Sequence, residues 1–291
     1  MKRDWDYYQW GRQTYVMGIL NITPDSFSGD GLLQTGNPVR SALERGRRYV
    51  KAGAHILDVG GESTRPGASS ISEQEELDRV IPVIQALVAA DLDAVISVDT
   101  YKASVAEAAL AAGANWINDV WGLRADEKMA SVAARNHTPL IIMHNRSQPA
   151  NLELQKRLGG RYIGIEYSNL IEDVKSELMA SVAIARQAGV ADDHLILDPG
   201  IGFGKSVEQN LELINRLDEI CALGFPVLLG PSRKSFIGYT LNLPYNQRVE
   251  GTAASVAVGI TRGADIIRVH DVRAMARVAR MTDAIARKPI S

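Results

Sequence analysis

The stretch Tyr15–Gly31, YVMGILNITPDSFSGDG, begins as an uninterrupted apolar run and crosses at Asn21 into a polar loop marked by proline and glycine. A strand covered on both faces reads as such a run, yet this one ends on an amide. Whether that amide has a task depends on how the other apolar runs end. Seven more follow: His55 to Gly60, Ala94 to Asp99, Trp116 to Val120, Pro139 to His144, His194 to Asp198, Pro226 to Gly230 and Ile266 to His270. They are rich in valine and isoleucine and alternate with longer stretches of helical periodicity, the pattern of βα units around a parallel sheet. Between them, Ser72 followed by Glu75 reads as a capping box, and Asp126 reads as the opening of the helix in DEKMASVAARN. AGA at 52–54 and 112–114, and RGA at 262–264, set a glycine at the left-handed end of a helix just before the next strand.

Eight βα units in succession lead to a closed (β/α)8 TIM barrel, with an open doubly wound sheet as the alternative. The expectation is one domain over residues 1–291, with residues 1–13 as an N-terminal extension. In either fold the working residues lie beyond the carboxyl ends of the strands, and those ends are polar: Asn21, Asp58 with Glu62, Asp99, Asn118 with Asp119, His144, Asp198, Arg233 with Lys234, and Arg268 with His270. The strand starts carry far fewer charges. Asn21 is therefore expected to be one of a ring of polar groups at one mouth of the barrel.

Two chemistries are mixed in that ring. Asp99, Asn118, Asp198 and Lys234 combine carboxylates, an amide and an ammonium, which suits a flat heterocycle presenting donors and acceptors; a carboxylate can accept two parallel N–H bonds from an amino-amidine edge. Arg65, Arg268 and His270, with Asn21, make a donor-rich group near the eighth strand, where barrels of this kind often hold phosphate. DPGIGFGKS, Asp198 to Ser206, resembles a nucleotide loop, but a Walker pattern needs glycine at Pro199 and a dinucleotide fingerprint needs one at Lys205. Its glycines instead let the backbone approach a ligand, with Phe203 as a stacking face. The five histidines are scattered singly, so no zinc spacing exists, and His55 and His194 read as structural. A metal here would be an oxygen-bound Mg²⁺ shared with substrate phosphates.

Composition excludes several classes. With 32 basic and 34 acidic side chains, the net charge of −2 offers no field for nucleic acid or anionic lipid. The single cysteine rules out an intrachain disulfide, and MKRDWDYYQWGRQ lacks the apolar core of a signal peptide, so a cytoplasmic location without membrane contact is expected.

The runs MGILNITPDSFSGDG, DVGGESTRPGA, SVDT, IND, LDPGIGFGK, GPSRKSFIG and IIRVHD, spread over Met17 to Asp271, resemble the successive motifs of the dihydropteroate synthases. The resemblance implies an enzyme joining 6-hydroxymethyl-7,8-dihydropterin diphosphate to p-aminobenzoate, with release of diphosphate, in folate synthesis; sulfonamides imitate the second substrate. It implies that Asp99, Asn118, Met143, Asp198 and Lys234 bind the pterin, and that Thr64, Arg65, Arg268 and His270 hold the diphosphate. Asn21 becomes a Mg²⁺ contact, while Thr64, Pro66, Phe203, Lys234 and Ser235 adjoin the p-aminobenzoate, whose carboxylate faces a helix starting near Ser235. Of these, Asn21, Arg65, Lys234, Arg268 and His270 are the implied catalytic group. The implied reaction is dissociative: diphosphate leaves, and a pterin-methyl cation is captured by the arylamine under loops 21–34 and 62–70. A homodimer through late helices, around GTAASVAVGITRGA, is also implied. Two departures stand out: SFSGDG replaces the usual SFSDGG, displacing an aspartate to Asp30, and MHNR follows the fifth strand where MHM is usual. The competing readings are a non-catalytic pterin-binding paralogue and a methyltetrahydrofolate:corrinoid methyltransferase, a family that lacks SRKSF and the first-loop motif.

Overall fold

A computed structural model describes residues 7–23, 31–33, 36–64, 67–163 and 165–287. Its strands are β1 (Tyr15–Asn21), β2 (Ile56–Gly60), β3 (Val95–Asp99), β4 (Trp116–Asp119), β5 (Leu140–Met143), β6 (Leu152–Gln155), β7 (Gly159–Tyr162), β8 (Leu195–Asp198), β9 (Leu228–Leu229) and β10 (Ile266–Val269). Eight are parallel, in the order β8-β5-β4-β3-β2-β1-β10-β9, and a parallel bridge from Leu197 to Val227 joins the two ends. The expected barrel is therefore closed. β6 and β7 form a separate antiparallel hairpin on the β5–β8 connection, which the sequence reading did not anticipate.

The helices are α1 (Pro38–Lys51), α2 (Glu73–Ala89), α3 (Ala103–Ala111), α4 (Met129–Arg135), α5 (Leu170–Gln187), α6 (Val207–Asn215), α7 (Leu217–Cys221), α8 (Ser235–Leu241), α9 (Val249–Thr261) and α10 (Val272–Ala286). Three are followed by glycines with φ of +105°, +104° and +106°, at Gly53, Gly113 and Gly263, as the AGA and RGA runs require.

Alternation along the strands sorts the core into two shells. Every barrel strand sends a side chain into one inner apolar cluster: Tyr15 and Met17, Ile56, Val95, Trp116, Ile141, Ile196, Leu228 and Ile266. Their neighbours of opposite parity, such as Val16, Leu57, Ile96, Ile117, Leu140, Leu197 and Ile267, belong to the outer shell packed against helices. The N-terminal segment closes the inner cluster from below: the Tyr8 ring stacks on Trp10 at 5.0 Å and lies 5.0 Å from Trp116. Gly11 N–H and Thr14 N–H donate to Asp265 and Asp283 at 2.8 Å, tying that segment to the end of the chain. Of the expected extension, residues 7–13 thus act as a plug for the barrel floor.

Four local expectations change. The seventh strand shortens to Leu228–Leu229, because Pro226 has no N–H and the Val227 N–H donates to Asp265 Oδ2 at 3.0 Å. His194 ends a 3-10 turn, so the sixth barrel strand starts at Leu195. Asp126 does not open α4, which starts at Met129; its Oδ2 instead accepts from Ala103 N–H at 2.8 Å and caps α3. Ser72 does cap α2, accepting from Glu75 N–H, but the Glu75 carboxylate pairs with Arg79. A reciprocal capping box occurs at Ser206 and Gln209 instead.

Candidate active site

The alternation that builds the inner cluster also decides which strand-end residues meet. Two residues beyond Ile56, Trp116, Ile196 and Ile266, on the same inward face, stand Asp58, Asn118, Asp198 and Arg268. Four beyond Val95 and Met17 stand Asp99 and Asn21, and two beyond Ile141 stands Met143, 3% exposed. These are four of the five expected pterin positions, Asp99, Asn118, Met143 and Asp198, together with Asn21, the expected diphosphate residue Arg268, and one residue left in the ring without a role, Asp58. It could have been found by counting in twos from Ile56.

Asp119 and His144, of the other parity, and Glu62 and Arg233, beyond their strand ends, have structural duties. Asp119 accepts the N–H groups of Trp121 and Leu123 at 2.8 and 2.7 Å, shaping the turn after β4. His144 lies between Lys205 Nζ, 2.9 Å from Nδ1, and Glu177 Oε2, 3.1 Å from Nε2. Glu62 accepts from Lys102 at 2.6 Å and from Tyr101 at 2.8 Å. Arg233 forks onto Asp271 through Nε at 2.7 Å and Nη2 at 2.5 Å. Its φ of +54° is costly for a residue with a side chain, and the clamp on Asp271 holds a turn that turns the next residue, Lys234, toward the barrel axis.

At the centre Arg268 bridges two carboxylates. Its Nε donates to Asp58 Oδ2 at 2.6 Å and its Nη2 to Asp99 Oδ2 at 2.5 Å. Asn118 Nδ2 donates to the same Asp58 Oδ2 at 3.0 Å, which fixes the amide with its oxygen turned away from Asp58. Asp58 Oδ1, Asp99 Oδ1 and Ser97 Oγ are buried with no hydrogen-bond partner among the described residues. Such groups are costly to leave unmatched, so this wall is built to receive donors. Burial pushes the Asp99 carboxyl up to about 7; Arg268 opposes the rise, and Asp58, sharing that one guanidinium, adds to it. Burial likewise raises Asp198, against the pull of Lys234 and the Gly200 N–H, which donates to its Oδ1 at 2.7 Å.

Lys234 completes the opposite wall. Its ammonium donates to the Ile201 carbonyl and sits 4.6 Å from the centre of the Phe203 ring. Burial lowers its pKa to about 8, with Asp198 holding it up. Ser235 follows as the first residue of α8, a helix of only 7 residues. His270 is 3.0 Å through Nδ1 from Ser232 Oγ, and 3.5 Å through Nε2 from the Tyr245 hydroxyl. Thr64 is half-buried in the loop after β2. Arg65, Pro66 and Asp30 fall outside the described residues. Among the described residues no cluster of three or more acidic, histidine or cysteine side chains could hold a metal, leaving Asn21, half-buried at the end of β1, as a single neutral oxygen donor.

The fold and this mouth define a pterin-binding barrel, and residues 17–270 match the pterin binding enzyme family, to which the chain belongs. Its relatives within that family include dihydropteroate synthases: that of Clostridium beijerinckii is 50% identical over 279 residues, 96% of either chain. The dihydropteroate synthase of Clostridium difficile, solved in the presence of pteroic acid, superposes with a TM-score of 0.86 at 47% identity, covering 97% of this chain and all of that one. The Xanthomonas albilineans enzyme, solved with 4-aminobenzoic acid, gives 0.84 at 39% identity over 95% of this chain and 94% of its own.

Proposed function

We propose that the chain condenses 6-hydroxymethyl-7,8-dihydropterin diphosphate with p-aminobenzoate to give 7,8-dihydropteroate and diphosphate, in the cytoplasm. The observation that carries this reading is the inward wall of Asp58, Ser97 and Asp99 with three unmatched buried oxygens, facing Asp198 and Lys234 across the barrel. A pterin brings several N–H donors and ring acceptors, the donors matching the carboxylates and the Asn118 amide oxygen, and the acceptors the Lys234 ammonium. Asp99, Asn118, Met143, Asp198 and Lys234 bind the ring. Arg268 holds Asp58 and Asp99 through Nε and Nη2, so its Nη1 faces the departing diphosphate together with His270, Thr64 and Arg65. Charge stabilisation and exclusion of water, rather than a strong base, then lower the barrier to C–O cleavage. Phe203, Lys234, Ser235, Thr64 and Pro66 receive the arylamine.

One neutral amide oxygen fits a Mg²⁺ ion that arrives with the diphosphate and keeps most of its ligands from phosphate and water. When bound, that ion would neutralise leaving-group charge, and Asn21 would orient it.

A homodimer is the second part of the proposal. The small residues of α9 do not carry it, because Gly259 and Gly251 make room for Leu229 and Ile237 of the same chain. Its support is Met281 and Ile285 of α10, apolar side chains left 63% and 73% exposed.

The test is turnover. Purified protein supplied with both substrates and Mg²⁺ should form dihydropteroate and diphosphate in equal amounts. Tight pterin binding without either product would establish the non-catalytic reading instead. No described helix is long and apolar enough to cross a membrane.

A further inference from the structure

Behind the arylamine side lies a buried lysine that the proposed chemistry does not use. Lys205 is 2% exposed; its Nζ donates to Gly200 O at 3.0 Å and Phe203 O at 3.1 Å and lies 2.9 Å from His144 Nδ1, and burial presses its pKa well below the usual lysine value, with Asp198 opposing. Burial and the Lys205 charge press the His144 imidazole down to about 4, so it is neutral. The neutral ring sets Nδ1 against Lys205 Nζ and Nε2 at 3.1 Å from Glu177 Oε2. Glu177 is itself held by Arg146 Nε at 2.8 Å, so the chain of contacts is anchored on α5.

The loop that Lys205 ties down has its backbone bound from several directions. Gly202 N–H donates to Asn210 Oδ1 at 2.6 Å, Gly204 O accepts from the Tyr167 hydroxyl at 2.9 Å, and Ile201 O accepts from Lys234. Gly200 and Gly204 adopt φ of +71° and +64°, and a Cβ on either would overlap the backbone of His144 or Arg146. The loop is thereby pressed onto the end of β5, with Phe203 and the Ile201 carbonyl presented to Lys234.

We propose that Lys205 is the positioning residue of the arylamine subsite: its buried amine fixes residues 200–204 so that Phe203 and Lys234 stand at the spacing the aromatic amine requires. This deepens the function proposed above and rests on it. Lys205 reaches no substrate itself; it acts through the two carbonyls it holds. A lysine suits the task because its donors diverge from one nitrogen, whereas the guanidinium fork is planar.

The experiment is Lys205→Met in the full-length enzyme, with steady-state kinetics in both substrates and calorimetry of a pterin ligand. The expected result is a KM for p-aminobenzoate raised by about tenfold or more, with pterin affinity within about threefold. A merely structural lysine would lower the folded fraction, reducing apparent kcat and leaving both KM values unchanged; that outcome overturns the proposal. If Lys205→Met does not fold, Lys205→Gln, which keeps two donors, is read by the same criterion. A wild-type enzyme that forms no dihydropteroate sinks the functional reading first. Wild-type turnover with an unchanged arylamine KM in the variant sinks only this inference.

Discussion

Asp58→Asn isolates the charge that the centre of the site shares. Both hydrogen bonds to Asp58 fall on one oxygen, Oδ2, with Arg268 Nε at 2.6 Å and Asn118 Nδ2 at 3.0 Å. An asparagine with its carbonyl at that place keeps both bonds and puts an NH2 where Oδ1 has no partner. The geometry survives, and one negative charge is lost. Arg268 then serves Asp99 alone, and Asp99 loses a like-charged neighbour, so its pKa moves down from about 7. Burial, the largest cause of the rise, remains. Recognition of an N–H edge favours ionised Asp99, so wild-type pterin affinity should fall with pH below about 7, by up to about tenfold, or ~1.4 kcal/mol, per pH unit. At pH 8 the variant should bind more weakly, because the free acceptor Asp58 Oδ1 becomes an NH2 and a charge-assisted bond from a pterin N–H, worth about 1.5 to 3 kcal/mol, is lost. At pH 6 the deficit should shrink, since less free energy is needed to ionise Asp99. Stability runs the opposite way with pH. An acid whose folded pKa lies above its unfolded value favours folding at low pH and loses that contribution as pH rises through about 7, so the variant should lose less on going to pH 8.5. Calorimetry with a pterin ligand from pH 5.5 to 8.5 decides it: if the acid limbs of wild type and variant superimpose, Asp99 does not feel the Asp58 charge and the shared-guanidinium account is wrong.

Asp99→Asn and Asp198→Asn should each cost about 1.5 to 3 kcal/mol of pterin binding, a Kd raised roughly 10- to 150-fold; unchanged Kd in both would remove these carboxylates from the pterin site. Arg65→Ala should lower kcat more than it weakens pterin binding, and Arg65→Lys should rescue little, because an ammonium cannot reproduce a bidentate fork; a raised KM with intact kcat would make Arg65 a docking residue. Asp126→Ala removes acceptors for Ala103 and Lys128 N–H, and should cost about 1 kcal/mol, lowering Tm by about 2 °C in a thermal melt; no change would mean the α3 cap is dispensable. Sedimentation velocity at micromolar concentration should show a dimer, and Ile285→Asp should shift it toward monomer; a monomeric wild type would end that reading.

The barrel was legible in the sequence because its signals are local. Eight valine- and isoleucine-rich runs, the glycines at 53, 113 and 263, and the polar residues at the strand ends each express a conformational or solvation preference of a few neighbouring residues. The identities of Asp99, Asn118, Asp198, Lys234 and Arg268 were legible for the same reason. The hairpin of β6 and β7 was not: its strands are four residues each, the first mostly exposed and the second mostly half-buried, without the apolar run that marks a barrel strand. Tertiary closure alone decided which polar ends meet. Asp119 and His144 adjoin the mouth in sequence as closely as Asn118 and Met143 do, yet a shift of one residue on a strand reverses the face, sending them to Leu123 and Glu177. Arg268 finds Asp58 and Asp99 only because β10, β2 and β3 are brought side by side around β1. Those charges are 210 and 169 residues apart in sequence, so no local preference records their sharing of one guanidinium. Their energetics depend on burial and on distances of about 2.6 Å, which exist only once the barrel has closed.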